Sequence, residues 1–325
     1  LASWAAGLVS FPYGAFVLFA AAVGLLEGVL TLPFRFFSGY VVEHRYGLSN
    51  QSLSRWAWER VKGMLVGAPL GLLVLVLLYY CVSTWPTLWW LPLGTALTLL
   101  SVVMARLAPV LILPLFYRLT PLPDGALKER LVELCERARL SVRGVFSFNL
   151  SKNTKKANAG FTGIGRAKRV ILGDTLVDEF TDDEIETVFA HELGHYHHHH
   201  IAVGIVIGTL STFAGLFVTS LLYRWSLSAL GFTGPADLGA LPLLGIWLAL
   251  YGLATTPAGN VLSRRHEYQA DRYAIAATGK PAAFVSALSK LAVTNLADPE
   301  PSPLVEFLLH SHPSIRKRIR RVESL

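Results

Sequence analysis

Residues 8–32, 63–82, 87–117, 201–223 and 238–262 are each long and apolar enough to cross a bilayer. A hydrocarbon layer of about 30 Å is spanned by about 20 helical residues. Lipid offers backbone N–H and C=O groups no partner, so each stretch has to satisfy its own, and five transmembrane helices are expected. The third stretch carries Arg106, Pro109 and Pro114, which predicts a tilt, kink or break. Of the 325 residues, 53% are hydrophobic and 16% charged. Ordinary soluble domains are nearer a quarter charged, so the composition also excludes that class.

The formal net charge of +7 is distributed as membrane topology rather than as a nucleic-acid footprint, and no nucleic-acid partner is expected. Segment 33–62 holds Arg35, Arg45, Arg55, Arg60 and Lys62, segment 83–86 holds no basic residue, and segment 118–200 is strongly basic. Segment 224–237 has only Arg224, and 263–325 is basic again. Lys and Arg collect on the cytoplasmic side. The start is therefore expected outside and the C-terminus inside. The bacterial inner membrane is the expected location, or the endoplasmic reticulum if the source is eukaryotic. The chain starts at Leu1 rather than Met, so further sequence is expected before it, and no signal peptide is read in the first apolar stretch.

Glu27 lies within the first stretch. An intramembrane carboxyl is a functional candidate, but a polar interior or a neutral carboxyl near the span's end accounts for it better. Gly24/Gly28 and Gly67/Gly71 have the spacing of close helix packing. Cys81 and Cys135 fall in different regions and predict neither a disulfide nor a function.

In the polar region, 124–140 reads as an amphipathic helix with Asp124 as N-cap. Residues 142–150 and 169–173 read as strands, and 151–156 as a polar turn. The glycine-rich 157–165, with Gly160, Gly163 and Gly165, lacks the strand–glycine–helix order of a dinucleotide site. A bulged edge strand is expected there, and such a strand can hold an extended peptide by backbone pairing. Thr181-Asp-Asp-Glu184 is a capping box. It opens a helix expected to run on into the fourth span.

That helix contains His191-Glu192-Leu193-Gly194-His195. Residues four apart share a helix face, so His191 and His195 can offer two imidazoles to one ion while Glu192 reaches a water on it. Two ligands and a general base from one turn is the zinc metalloprotease pattern. A third ligand is required. Beyond the fifth stretch, Glu267 and Asp271 are again four apart. Glu267 is the expected ligand, and Asp271 the carboxylate that accepts the free N–H of a ligand histidine. Two solvated carboxylates paired with Arg264 or Arg265 is the plainer reading. Topology favours the site: His195 stands just before the fourth span and Glu267 just after the fifth, so both fall at the same membrane boundary. His266 points about 100° away from Glu267 and is not expected to bind the ion. His197–His200 is read as a polar collar at the membrane interface.

These residues resemble the integral-membrane CAAX prenyl proteases of type I and, more distantly, their HtpX-like relatives. Further matching pieces are Leu32-Pro-Phe34, Val41-Val-Glu-His-Arg-Tyr-Gly47, Pro114-Leu-Phe116, Leu119-Thr-Pro-Leu-Pro123, Asn158-Ala159, Arg169-Val-Ile-Leu172, Asp174-Thr-Leu176, Ser263-Arg-Arg265 and Ser311-His-Pro313 with Arg318. The resemblance implies one zinc ion on His191, His195 and Glu267, with Glu192 as base. It also implies a substrate-binding edge strand at Asn158 and Ala159, and His312 and Arg318 positioning substrate or stabilising the oxyanion. Without it, His312 before Pro313 equally fits a helix start, and Arg318 a solvated or headgroup-facing surface. The family has seven spans around a chamber, and this chain matches from the third span onward.

The expected fold is a mainly α, polytopic membrane protein with about five transmembrane helices and a small cytoplasmic α+β zincin-like domain. Residues 1–123 form the N-terminal transmembrane region, and 124–325 the metalloprotease region with the last two spans. The expected activity is zinc-dependent endopeptidase cleavage at the cytoplasmic membrane face, of a CAAX prenyl protease kind. The alternatives are quality control of membrane proteins, as in HtpX, and a non-proteolytic metal-binding scaffold or transporter. Expected partners are a peptide or protein substrate, prenylated or membrane-embedded, and the bilayer.

Overall fold

The helices run in the order α1 (Ala2–Leu8), α2 (Pro12–Phe36), α3 (Glu43–Arg45), α4 (Leu53–Thr84), α5 (Trp90–Leu107) and α6 (Leu113–Phe116). Then come β1 (Leu119–Pro121), α7 (Ala126–Arg137), β2 (Val145–Phe148), β3 (Ala159–Thr162), β4 (Arg169–Gly173), α8 (Asp174–Glu179) and α9 (Asp182–His197). The chain ends with α10 (His200–Leu230), α11 (Leu241–Thr278), α12 (Pro281–Thr294), α13 (Pro303–Leu309) and α14 (Ile315–Glu323). This computed structural model describes residues 1–140, 142, 144–162 and 169–324. Gly163 and Gly165 lie outside them.

Each of the five apolar stretches falls, but for up to four residues at its ends, in a helix long enough to cross a membrane: Pro12–Arg45, Leu53–Thr84, Trp90–Phe116, His200–Leu230 and Leu241–Thr278. The expected irregularity of the third is a π-helical turn at Ala108–Ile112, between α5 and α6. Pro109 inside it removes a backbone donor, and the widened turn accommodates the gap. A second π-helical segment, Phe37–Val42, joins α2 to α3.

The chain divides into two compact units, one of Leu1–Val42, Leu53–Val103 and Ile205–Thr255. Its core gathers Cys81, Val82, Trp89, Leu93, Leu216, Tyr223, Leu227 and Leu244. Tyr223 Oη donates to Pro235 O at 2.9 Å, and Trp247 Nε1 to Ser226 Oγ at 3.0 Å. Leu25, Leu30, Leu72 and Leu99 point outward, as helices facing lipid require. The expected close packing at Gly24/Gly28 and Gly67/Gly71 is absent, since a Cβ on any of them meets no described atom within 4 Å. The close approaches fall at Gly94 against Phe213 and Gly215 against Tyr251, where an aromatic ring fills the missing side chain's space. Glu27 is neither interior nor isolated: its carboxylate accepts from Arg35 at 2.9 Å, both side chains being more than half exposed.

The other unit comprises Glu43–Ser52, Met104–Gly204 and Thr256–Leu325. Its sheet has the order β1-β2-β4-β3, with β2 and β4 parallel and the two outer pairs antiparallel. Among the described residues its edge strands are β1 and β3. Helices α7 and α9 pack on the sheet and α12 packs on α9, sharing one core of Leu131, Leu134, Ile185, Phe189, Phe284 and Leu288. Asp124 does not cap α7. Gly125 occupies the N-cap, and the Asp124 carboxylate instead accepts from Lys128 Nζ at 2.6 Å. Residues 43–52 dock beside the segment leading to β3, with Lys155 N donating to Leu48 O and Lys156 Nζ to Glu43, each at 2.9 Å.

The capping box forms as expected: Thr181 N donates to Glu184 at 2.8 Å and Glu184 N to Thr181 Oγ1 at 3.4 Å. The helix it opens does not run on into the fourth span. α9 stops at His197, His199 takes a left-handed φ of 56°, and α10 starts afresh at His200.

Candidate metal centre and active site

α9 is buried along most of its length, from Glu184 through Leu193 and Gly194. It crosses α11 at one point of close approach. A Cβ on Gly194 would lie 2.9 Å from Ala270 Cα and 3.1 Å from Ala270 O. Two small residues let the backbones meet there, within one turn of His191 and His195 on one side and of Glu267 and Asp271 on the other.

The result is a cluster of three donors. His191 Nε2 and His195 Nε2 are 3.2 Å apart. Glu267 Oε2 is 3.4 Å from the first and Oε1 3.2 Å from the second. Tetrahedral zinc with bonds of about 2.0–2.1 Å would hold its ligand atoms about 3.3 Å apart. Two more observations fit a cation. Glu267 Oε2 is buried without a hydrogen-bond donor among the described residues, an arrangement that is costly unless a cation satisfies it. The field of the site also favours positive charge: at His191 the Asp271 and Glu267 carboxylates outweigh burial and raise its pKa to about 9, so a metal ion bound there displaces a proton.

Asp271 and Arg318 lie behind His191. His191 Nδ1 is 2.9 Å from Asp271 Oδ1, and Arg318 Nε donates to Asp271 Oδ2 at 2.9 Å. The Arg318 guanidinium is buried, and its Nη1 stands 3.5 Å from Glu267 Oε2. Arg318 is thus neither solvated nor at a headgroup surface. Burial works against its charge, but Asp271 and Glu267 hold its pKa up. Arg264 pairs with neither carboxylate. It donates to the carbonyls of Glu306 and His310 and holds the end of α13.

A cavity of about 510 Å³ opens onto this cluster. Glu192, Asn158, Ala159, His312 and Arg318 all line it, as do His191, His195 and Glu267. Burial pushes the Glu192 carboxyl up, with His191 and His195 pulling the other way. Asn158 O accepts from Gly173 N at 2.8 Å, which sets the start of β3. His312 is exposed, with Nδ1 3.0 Å from Ser311 Oγ and Nε2 3.5 Å from Glu267 Oε1. Every residue singled out for the site in the sequence therefore falls in or directly behind one cavity.

Three further residues stand beside the site that the sequence did not place there: Asn295, His200 and His266. Asn295 on the cavity wall accepts from Ala157 N through Oδ1 at 3.3 Å. His200 is buried, unlike the exposed His197, His198 and His199, so the expected four-histidine collar does not hold for it. Its Nδ1 lies 2.9 Å from His195 Nδ1 and its Nε2 2.8 Å from Gln269 Oε1. No helical spacing pointed to His200, because the chain breaks at His199 before reaching it. His266 stacks on the His200 ring at 3.9 Å.

The profile of peptidase family M48 matches residues 121–325, and that of the CAAX prenyl protease N-terminal region, described as five membrane helices, matches residues 2–118. An uncharacterized metalloprotease, YhfN, of Bacillus subtilis is 33% identical over 98% of this chain and 76% of its own length. CAAX prenyl protease 1 of Saccharomyces cerevisiae is 29% identical over 93% of this chain and 71% of its own. The crystal structure of S. mikatae Ste24p superposes with a TM-score of 0.88 at 28% identity, covering 97% of this chain and 77% of that one. With these matches along nearly its whole length, the chain belongs to peptidase family M48, as a membrane-spanning metalloprotease of the CAAX prenyl protease 1 kind.

Proposed function

We propose that this protein is a zinc-dependent endopeptidase that cleaves prenylated C-terminal CAAX segments at the cytoplasmic membrane face. The observation that carries the zinc assignment is the His191–His195–Glu267 triangle, with its buried carboxylate oxygen left for a cation. Zinc, when bound, acidifies a water and polarises the scissile carbonyl. Glu192 takes the proton of the attacking water and delivers it to the leaving amine. Its raised pKa suits both transfers. Asp271, held by Arg318, accepts from His191 Nδ1 and keeps Nε2 free to bind. The substrate lies extended along the β3 edge at Asn158 and Ala159. His312 at the cavity mouth donates to the carbonyl oxygen as charge develops on it. The cytoplasmic side follows from the basic segments that flank the site, and the substrate class from the relatives named as CAAX prenyl proteases.

The test pairs metal analysis with cleavage. The wild type should hold one zinc per chain and cleave a farnesylated CAAX peptide in preference to its unmodified form, with loss on chelation and recovery on zinc addition. Glu192→Gln should keep the zinc and lose cleavage. Equal cleavage of the unmodified peptide would remove the prenyl assignment, and an active Glu192→Gln would remove the base.

A further inference from the structure

We infer that His200 is a positioning residue for His195, locked in turn by Gln269, so that the two histidine ligands are oriented by different chemistry. The inference rests on the zinc site proposed above. His195 turns Nε2 toward the other two donors, so its proton has to sit on Nδ1 for Nε2 to offer a lone pair. The group facing that Nδ1 is His200 Nδ1 at 2.9 Å. An N–H needs an acceptor, so His200 Nδ1 is unprotonated and its proton sits on Nε2. There it donates to Gln269 Oε1 at 2.8 Å. A carbonyl oxygen only accepts, so one protonation pattern satisfies the whole chain from Gln269 to the metal position.

The backbone is shaped to allow this. On an unbroken helix, a residue five beyond His195 points about 140° away from it. The left-handed residue His199 ends α9 and restarts the chain as α10, and His200 comes back against His195. A non-glycine residue in that region is strained, and here the strain coincides with a contact to a ligand. The His200 ring is also fixed in its plane, stacked on His266 at 3.9 Å and 8°. His191, by contrast, is oriented by the Asp271 carboxylate. A neutral imidazole behind His195 orients that ligand without adding a second full negative charge to the site.

Zinc affinity of the full chain in detergent, measured by competition with a chelator, tests this. His200→Phe keeps the ring and its stacking but removes the acceptor, and should weaken zinc binding about tenfold to a hundredfold. His200→Asn places an amide oxygen near the position of Nδ1 and should return affinity to within a few fold of wild type. Gln269→Leu, at an exposed side chain, removes only the far acceptor and should give a smaller loss in the same direction. It also serves as the second variant if His200→Phe does not fold. The cobalt-substituted spectrum should shift in His200→Phe and return in His200→Asn. Equal zinc affinity in wild type, His200→Phe and Gln269→Leu would overturn the inference. So would an Asn variant as weak as Phe with an unshifted cobalt spectrum, which would mark His200 as packing alone. A wild type that binds no zinc would instead overturn the metal site itself.

Discussion

Gly194 and Ala270 meet backbone to backbone, and a single added methyl on Gly194 would stand 2.9 Å from Ala270 Cα. Both helices that carry the donor set are buried here, so neither can yield freely. Gly194→Ala should therefore push α9 and α11 apart where His195 has to face Glu267. Overpacking of this kind costs about 1–3 kcal/mol in stability. A ligand misplaced by about 1 Å costs about a hundredfold in rate. The expected outcome is a modest fall in melting temperature with a much larger fall in kcat and in zinc affinity, measured on the same preparation.

Asp271 and Arg318 form a buried pair in direct contact with His191. Removing one member takes the nearest opposite charge from the other, leaving Asp271 with His191 alone or Arg318 with Glu267 at 3.5 Å. Arg318→Ala should destabilise the protein by about 3–5 kcal/mol and weaken zinc binding, because Asp271 loses the group that holds it. Asp271→Asn should lower zinc affinity about tenfold to a hundredfold. The double variant should be less damaged than the sum of the two, and a double-mutant cycle on melting and on zinc affinity measures that coupling.

Glu184 ties the start of α9 to α12. Its carboxylate accepts from Lys290 Nζ and Ser286 Oγ, each at 2.6 Å, and from Thr181 N at 2.8 Å. Burial opposes the charged form, but these bonds outweigh it and lower the pKa from 4.5 to about 2. A lowered folded-state pKa gives stability that is complete above the unfolded value and is lost as pH falls through the folded one. Melting midpoints should therefore drop between about pH 4.5 and pH 2 from this group. Glu184→Gln should melt lower at neutral pH and show a flatter acid limb. Equal acid slopes for the two proteins would remove Glu184 as the cause.

Much of this architecture was legible in the sequence because its signals are local or repeat along one helix. The five apolar stretches, the Thr181–Glu184 capping box and the His191/His195 spacing are of that kind. Glu267 and Asp271 were legible because two spans return the chain to the same boundary. The break at His199 was not, since nothing in a run of four histidines marks which one leaves the helix. His200 and Gln269 were hidden with it, because their partnership depends on that break. The glycine spacings misled for a related reason. Gly24/Gly28 and Gly67/Gly71 have the right period, but close packing needs a facing partner, and the rings of Phe213 and Tyr251 face Gly94 and Gly215 instead.

Among the described residues β3 pairs with β4 alone, and Asn158 just before it and Ala159 at its start line the same cavity as His191 and Glu192. An edge strand presents unpaired backbone groups, so a peptide reaching the metal position can add itself as the next strand. Such pairing depends on the substrate's backbone N–H groups and little on its side chains. Methylating the amide that pairs with β3 should then lower kcat/KM about tenfold, the equivalent of one hydrogen bond of about 1.4 kcal/mol. Methylating an amide two residues further from the scissile bond, beyond the strand, should change little. A substrate insensitive to methylation at every position would mean that the peptide is held by its side chains and that the β3 edge is not its track.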